Sequence, residues 1–283
     1  MKRRSFILNG LFGCMTAAFS QPALAASMAR AESGHDTIGN PTFPTAWIAA
    51  LSRRIYLNEC AGQEAYLLYW SEKEPFPSLG IGHFIWFPKG VNPSFEETFP
   101  QMLAYVSQRY SAPLEIKRYL GQSAPWANRE TFLVWSNSAA GENFRQWLME
   151  SMAWQTEFIL QRFWTKWQQA LAEIPLTERD DIRQKSDSFI RFQLGFLAMV
   201  DYFNFKGLGD SPQERYQGEG WGLIQVFRSM LWHEGMSEEQ LLDEFISAAK
   251  ARLALRVRLA ENKQIERQWL KGWNKRLDGY KKG

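Results

Sequence analysis

The sequence predicts a mainly α-helical protein with one small β-hairpin region, and three observations carry that expectation. Apolar residues recur at helical spacing over most of the chain beyond residue 44. Short β-like runs separated by glycine and proline occur only between residues 65 and 87. The 283 residues are 45% hydrophobic and 15% aromatic, enough to bury one large core or two modest ones and too apolar for a disordered chain.

Residues 1–25, MKRRSFILNGLFGCMTAAFSQPALA, have the three parts of an export signal. These are the basic stretch Lys2-Arg3-Arg4, an interrupted apolar run from Phe6 to Phe19, and Ala23-Leu24-Ala25 as a small-residue cleavage site. A membrane span needs about 20 apolar residues. This run is shorter and is broken by Asn9 and Gly10, so cleavage after Ala25 is expected, leaving no stable membrane span. Arg3-Arg4-Ser5-Phe6-Ile7 resembles the twin-arginine export motif, and a Sec signal fits as well. Leu11-Phe12-Gly13-Cys14 loosely matches a lipoprotein box, against which stand the bulk of Phe12 and the very short apolar run it would leave. The expected location is periplasmic or secreted.

Cleavage takes away three of the 33 Lys and Arg and none of the 30 Asp and Glu, leaving 30 against 30. The formal charge of +3 belongs to the leader, so no nucleic-acid footprint remains. Cys14 leaves with it, and Cys60 alone cannot form an internal disulfide. A lone thiol beside a turn reads first as a small apolar packing residue and second as a reactive one.

Residues 26–44 (ASMARAESGHDTIGNPTFP) are small, polar and proline-bearing and read as a flexible lead-in to a single domain over 45–283. Thr45 to Cys60 places apolar residues at 47, 48, 51, 55 and 57, with a threonine N-cap and Gly62 to end the helix. Further helices are expected over 95–110 and 113–121, and Pro125 marks a turn. A long amphipathic run follows from Gly141 to Ile174, stopped by Pro175, then helices over 178–203, 220–234, 237–260 and, as a closing element, 264–281. The aromatics between Phe144 and Trp167 recur at helical spacing, which assigns them to the core rather than to a sugar-stacking surface.

The stretch EKEPFPSLGIGHFIWFP, residues 72–88, breaks this helical pattern. The helix before it ends Leu57-Asn58-Glu59; then come Tyr66 to Glu72, then Glu74, then Ser78-Leu79-Gly80-Ile81-Gly82-His83. That order resembles the phage-type lysozymes of the lysozyme superfamily, in which a helix ends in glutamate, a β-hairpin carries a second carboxylate, and Thr-x-Gly-x-Gly-His follows. The likeness spans about 30 of 283 residues. It implies a lysozyme-like fold with additional helices, peptidoglycan glycan strands as partner, and chemistry without metal or organic cofactor. By the same resemblance Glu59 is the general acid, Glu72 the second carboxylate, Ser78 the hydroxyl that holds the attacking water, and Gly80, Gly82 and His83 the structural hairpin. Glu74 and Glu64 are alternative carboxylates. Three departures bear on the partner of Glu59: glutamate stands for aspartate, serine for threonine, and the gap between the carboxylates is four residues longer.

The residues support the same assignment on chemical grounds. Glycosidic cleavage needs one protonated carboxylic acid to feed the leaving oxygen and a carboxylate or polar group on the other face for the oxocarbenium-like carbon. Glu59, between Leu57 and Cys60 at a helix C-terminus, sits where desolvation and the negative end of the helix dipole both favour the neutral acid. Glu72 and Glu74, beside Lys73, are expected to stay ionised, and carboxylates separated in this way divide acid and base work. Gly-x-Gly-His by itself is only a tight turn with a satisfied imidazole; the preceding Glu59 is what gives it meaning.

A second stretch, Asn204 to Val226, contains Gly222-Leu223-Ile224-Gln225, which looks like the Gly-Leu-Met-Gln signature of goose-type lysozymes and soluble lytic transglycosylases. That signature belongs on the same hairpin of the shared fold as Gly80 to His83, and one domain cannot use both. Residues 204–225 are therefore expected to form a glycine-rich loop at the rim of the groove, with Tyr216, Trp221 and Gln225 as sugar contacts or as plain packing. The three histidines, His35, His83 and His233, form no His-Glu-x-x-His, and no glycine-rich loop ends in Lys-Ser or Lys-Thr. No Gly-x-Ser-x-Gly elbow occurs. The expected activity is hydrolysis of the muramyl β-1,4 bond, with a lytic transglycosylase or a catalytically silent glycan-binding envelope protein as alternatives. The oligomeric state is not written in the sequence.

Overall fold

A computed structural model describes residues 43–91 and 96–282. The expected export signal and the lead-in up to residue 42 lie outside the described residues. The described part of the chain is mainly α-helical, with 65% of the described residues in helices and 5% in strands. It divides into two compact units, one ending at Gln161 and the other beginning at Arg162.

In the first unit, helix α1 spans Thr45–Cys60 as its periodicity requires. Its N-cap is Pro44 rather than Thr45: extended Pro44 offers its carbonyl to Trp47 N–H at 2.8 Å, and Thr45 becomes the first helical residue. The helix stops because Ala61 turns left-handed (φ 51°) and its N–H and that of Gly62 both return to the Tyr56 carbonyl. A 3-10 turn, Glu64–Leu67, leads into three strands, β1 (Leu68–Tyr69), β2 (Ser78–Leu79) and β3 (Phe84–Ile85), which pair antiparallel in that order. Tyr69 lies opposite Ser78, and Ser78 opposite Ile85.

Helices α2 (Phe99–Ser107), α3 (Leu114–Lys117), α4 (Arg129–Ser136), α5 (Ala139–Glu150) and α6 (Met152–Glu173) follow. Helix α4 is not among the helices expected from the apolar spacing, although Asn128 and Thr131 form a capping box at its start. The expected single helix over 141–174 is two helices, broken at Ser151. The break frees the Leu148 carbonyl, and the Gln155 amide donates to it at 2.6 Å. The core of this unit is aromatic: Trp86 packs on Phe99 with centroids 4.6 Å apart, and Trp126 on Phe132 at 5.0 Å. Phe84, Trp86 and Phe87 are all buried, tying the sheet to that core. Each such side chain contributes roughly 2–3 kcal/mol on burial.

The second unit holds the remainder of α6, then α7 (Leu176–Phe189), α8 (Gln193–Lys206), a hairpin of β4 (Arg215–Tyr216) and β5 (Glu219–Gly220), α9 (Leu223–Ser229), α10 (Glu238–Leu259) and α11 (Lys263–Asp278). The expected helix over 178–203 is likewise two. The chain turns at residues 190–192, and Gly195 in the first turn of α8 admits the close approach, since a Cβ there would stand 2.5 Å from the Phe192 ring and 2.6 Å from the Phe189 carbonyl. The aromatic stripe is core, as expected: from Phe144 to Trp167 every large aromatic is buried. Helix α11 closes this unit through buried Trp273 and Leu277, and Arg276 grips buried Asp201 with two bonds of 2.9 and 2.8 Å. Among the described residues, no helix is long and apolar enough to cross a membrane.

Candidate active site

Helix α1 delivers Glu59 one residue before its end, beside fully buried Cys60. The Glu59 side chain keeps 12% exposure, so its carboxyl is largely removed from water yet still reaches it. Opposite stands the turn that joins β2 to β3. Gly80 enters it at φ +73°, a left-handed conformation suited to glycine, and a Cβ there would lie 2.5 Å from Gln155 Oε1. That oxygen is occupied: it accepts the Ile81 N–H at 2.9 Å. Gln155, wholly buried on α6, thus joins the broken end of α5 to the tip of the sheet. Gly82 lets the turn lie flat on Phe84 and Ile159, where a Cβ would meet carbons at 2.9 and 3.1 Å.

His83 leaves the turn at φ +45°, and its N–H bonds the Gly80 carbonyl at 3.2 Å. A left-handed conformation costs a non-glycine residue about 1–2 kcal/mol. The imidazole stacks on Tyr69 with centroids 5.7 Å apart. Its Nε2 lies 3.1 Å from the Tyr66 carbonyl, and its Nδ1 lies 4.0 Å from Glu59 Oε2. Cys60 Sγ completes the cluster, 3.7 Å from Nε2 and 3.8 Å from the Gly80 carbonyl. Burial, then the nearby Glu59 charge, pushes the Cys60 thiol well above its usual range, so it stays protonated and acts as packing.

The other expected site residues are spread more widely. Ser78 is buried in the central strand. Glu72 occupies a surface turn, its side chain 81% exposed and 3.7 Å from Arg129 Nη2. Arg129 is itself fixed by a 2.8 Å bond from Nε to the Trp70 carbonyl. Glu74 is half-buried and its backbone carbonyl accepts Trp70 Nε1–H at 2.8 Å, while Glu64 is exposed at the start of the 3-10 turn. The structure therefore brings together Glu59, His83 and the Gly80–Gly82 turn, and it engages Glu72 with Arg129.

The expected sugar contacts of residues 204–225 belong to the second unit, and burial assigns two of them to packing. Trp221 is buried and its carbonyl accepts the Tyr202 hydroxyl at 2.7 Å. Gln225 is buried and donates to the Gly209 carbonyl at 3.1 Å, fastening the glycine loop to α9. Tyr216 packs edge-on against Trp221, and its hydroxyl donates to Glu266 at 2.8 Å. The loop itself contains the β4–β5 hairpin.

Two contributors to the site are not among the expected residues, Gln155 and Arg129. Gln155 carried a signal, since an amide on the apolar face of MAWQTEFIL needs a buried partner. Arg129 carried none. Among the described residues, no cluster of three or more His, Cys, Asp or Glu is arranged to hold a metal ion. No family model matches the chain, and no curated protein and no solved structure matches it either. Fold and site together define a mainly α-helical protein with a carboxyl–imidazole cluster at a helix end.

Proposed function

We propose that this protein is an exported glycosidase that cleaves the muramyl β-1,4 bond of peptidoglycan, with Glu59 as the general acid. One observation carries the reading: a mostly shielded carboxyl at the end of α1 faces the Gly-x-Gly-His turn of the following sheet, His83 Nδ1 being 4.0 Å away. A general acid must be shielded from bulk water and still meet the leaving glycosidic oxygen, and the 12% exposure of the Glu59 side chain is compatible with that role. In the hydrolytic version Glu72 serves the opposite face of the sugar, activating water as the C1–O bond breaks.

A second reading has its own support. Glu72 is held at the surface by Arg129 and Ser78 is buried, which suits a mechanism with a single carboxylate. In a lytic transglycosylase the substrate's own C6 hydroxyl attacks C1, and the products carry 1,6-anhydro ends. Mass spectrometry of the released fragments separates the two, since hydrolysis leaves only reducing ends.

Glu59→Gln is expected to lower the clearing of purified cell walls by about 10²–10⁴-fold, the usual worth of a general acid, with an unchanged circular dichroism spectrum. Undiminished clearing by this variant sinks the assignment of Glu59. Wall binding without cleavage by the wild-type protein identifies a silent glycan-binding protein instead.

A further inference from the structure

We infer that the outward face of α11 is a second, non-catalytic binding surface for the cell wall, on which a row of lysine and arginine holds the carboxylates of the peptides that hang from peptidoglycan strands. The identity of the polymer rests on the proposed function; the cationic surface itself does not.

Charge is segregated along the chain. Residues 250–282 carry 11 Lys and Arg against three Asp and Glu, whereas residues 26–249 carry 19 against 27. Five of the 11 are engaged within the second unit: Arg256 by Glu266, Arg276 by Asp201, Arg252 by Glu219, Lys250 by Asp278 and Lys281 by Asp243. The other six, Arg258, Lys263, Arg267, Lys271, Lys275 and Lys282, are all exposed.

Four of these six, Lys263, Arg267, Lys271 and Lys275, recur every fourth residue. That spacing puts them in one row on α11 at steps of about 6 Å. Like charges so placed destabilise a helix, and Lys263 in the first turn also opposes the helix dipole. Helix stability therefore gives no reason for the row, whereas a polyanion laid along it does. The surface beside it is concave: a groove of about 850 Å³ is lined by Arg267, Leu270, Lys271, Asn274, Lys275 and Lys282. The carboxylate that also lines it, Asp278, is held by Lys250 at 2.5 Å. An incoming anion thus meets a field dominated by cations.

Length and shape select the partner. Arg267 to Lys275 extends about 12 Å along the helix axis, too far for a single anion and suited to a chain with repeated charges. A bilayer fits poorly, because α11 turns its apolar side inward: Trp273 and Leu277 are buried, and Trp269 leans on Trp273 with centroids 6.1 Å apart. Helices that lie on membranes bury that side in lipid instead. Wall peptides present carboxylates at intervals along a glycan strand, in the compartment where the proposed glycosidase works.

The test is co-sedimentation of the full chain with purified peptidoglycan, in a Glu59→Gln background so that the polymer is not consumed. Combining Arg267→Gln, Lys271→Gln and Lys275→Gln replaces exposed cations with good helix formers, so the circular dichroism spectrum should not change. Exposed ion pairs are worth up to about fivefold each, and the triple variant should bind at least about tenfold more weakly. Arg267→Lys keeps the charge and should bind like its parent. Wall binding should also fade in about 1 M salt, where the screening length is about 3 Å. Lys271→Glu, a single exposed reversal, carries the same test should the triple variant misfold. Undiminished binding by these variants overturns the inference, as does full binding to glycan strands stripped of their peptides. Tighter binding to phosphatidylglycerol vesicles than to peptidoglycan, lost in the triple variant, overturns the choice of partner. A wild-type protein that binds the wall through the row without cleaving it upholds the surface and removes the glycosidase reading; cleavage by a protein whose wall binding ignores the row does the reverse.

Discussion

Each compact unit contains a tyrosine, a glutamate and an arginine in mutual contact, and water is what separates the two triads. In the first unit Tyr105 donates to Glu157 at 3.4 Å, Arg109 Nε lies 3.8 Å from the same oxygen, and the guanidinium covers the Tyr105 ring at 3.7 Å. Arg109 and Glu157 keep 24% and 27% side-chain exposure. In the second unit Tyr216 donates to Glu266 at 2.8 Å, and Arg256 grips that carboxylate with two bonds of 2.9 and 3.2 Å while lying over Trp221 at 4.3 Å. There both charged side chains are 1% exposed. The same three residue types thus decorate a surface in one place and fix the register of α10 on α11 in the other. Desolvation, not residue identity, decides which.

The comparison breaks most visibly at Arg256. Arg256→Leu leaves the Glu266 carboxylate buried without its guanidinium, and such a loss costs about 3–5 kcal/mol, readable as a lower urea midpoint. The first unit answers with an uncharged counterpart of that lock, Gln155. Gln155→Leu orphans the Ile81 N–H and the Leu148 carbonyl, for about 1–3 kcal/mol, and hydrogen exchange at Ile81 should quicken. Wall clearing should fall with it, because the turn that carries His83 loses its anchor. Arg109→Leu, the direct mirror of Arg256→Leu, should cost only about 0–1 kcal/mol. Equal losses at the two arginines would mean that burial does not separate the triads.

These locks also explain what the sequence could disclose. Helix α1 was legible in its span, since its period and apolar face are local, although its cap is Pro44 rather than Thr45 and its stop begins at left-handed Ala61, one residue before Gly62. The breaks at Ser151 and after Phe189 were not. The first is stabilised by Gln155, whose other partner, Ile81, lies 74 residues away, and at the second Gly195, inside α8, leaves room for the Phe192 ring, a packing requirement that the apolar period does not carry. At the site, the order of Glu59, Gly80, Gly82 and His83 is a string that can be read. The pairing of Glu72 with Arg129 depends on where α4 comes to rest. Tyr216, Trp221 and Gln225 show the converse: a glycine-rich loop with aromatics reads equally as a sugar rim or as core, and only burial tells them apart.

At neutral pH the tyrosines give the subtlest and most discriminating contrast, because they are the member the triads treat alike. Burial comes first in pushing both phenols up to about 12. The Glu157 charge adds to it at Tyr105, whereas Arg256 pulls back at Tyr216 before the Glu266 hydrogen bond adds to the rise. An unfolded tyrosine ionises near pH 10. The folded phenols bind their protons more tightly, so their contribution to stability is complete below about pH 10 and is lost as pH rises through about 12. Tyr105→Phe and Tyr216→Phe should each flatten the alkaline loss of stability between about pH 10 and 12, followed by urea unfolding at stepped pH. At pH 8 they should part, Tyr216→Phe lowering stability more, because it strips a bond from a buried carboxylate. Similar slopes with unequal offsets mark two triads that differ in desolvation alone; equal offsets would place the difference elsewhere.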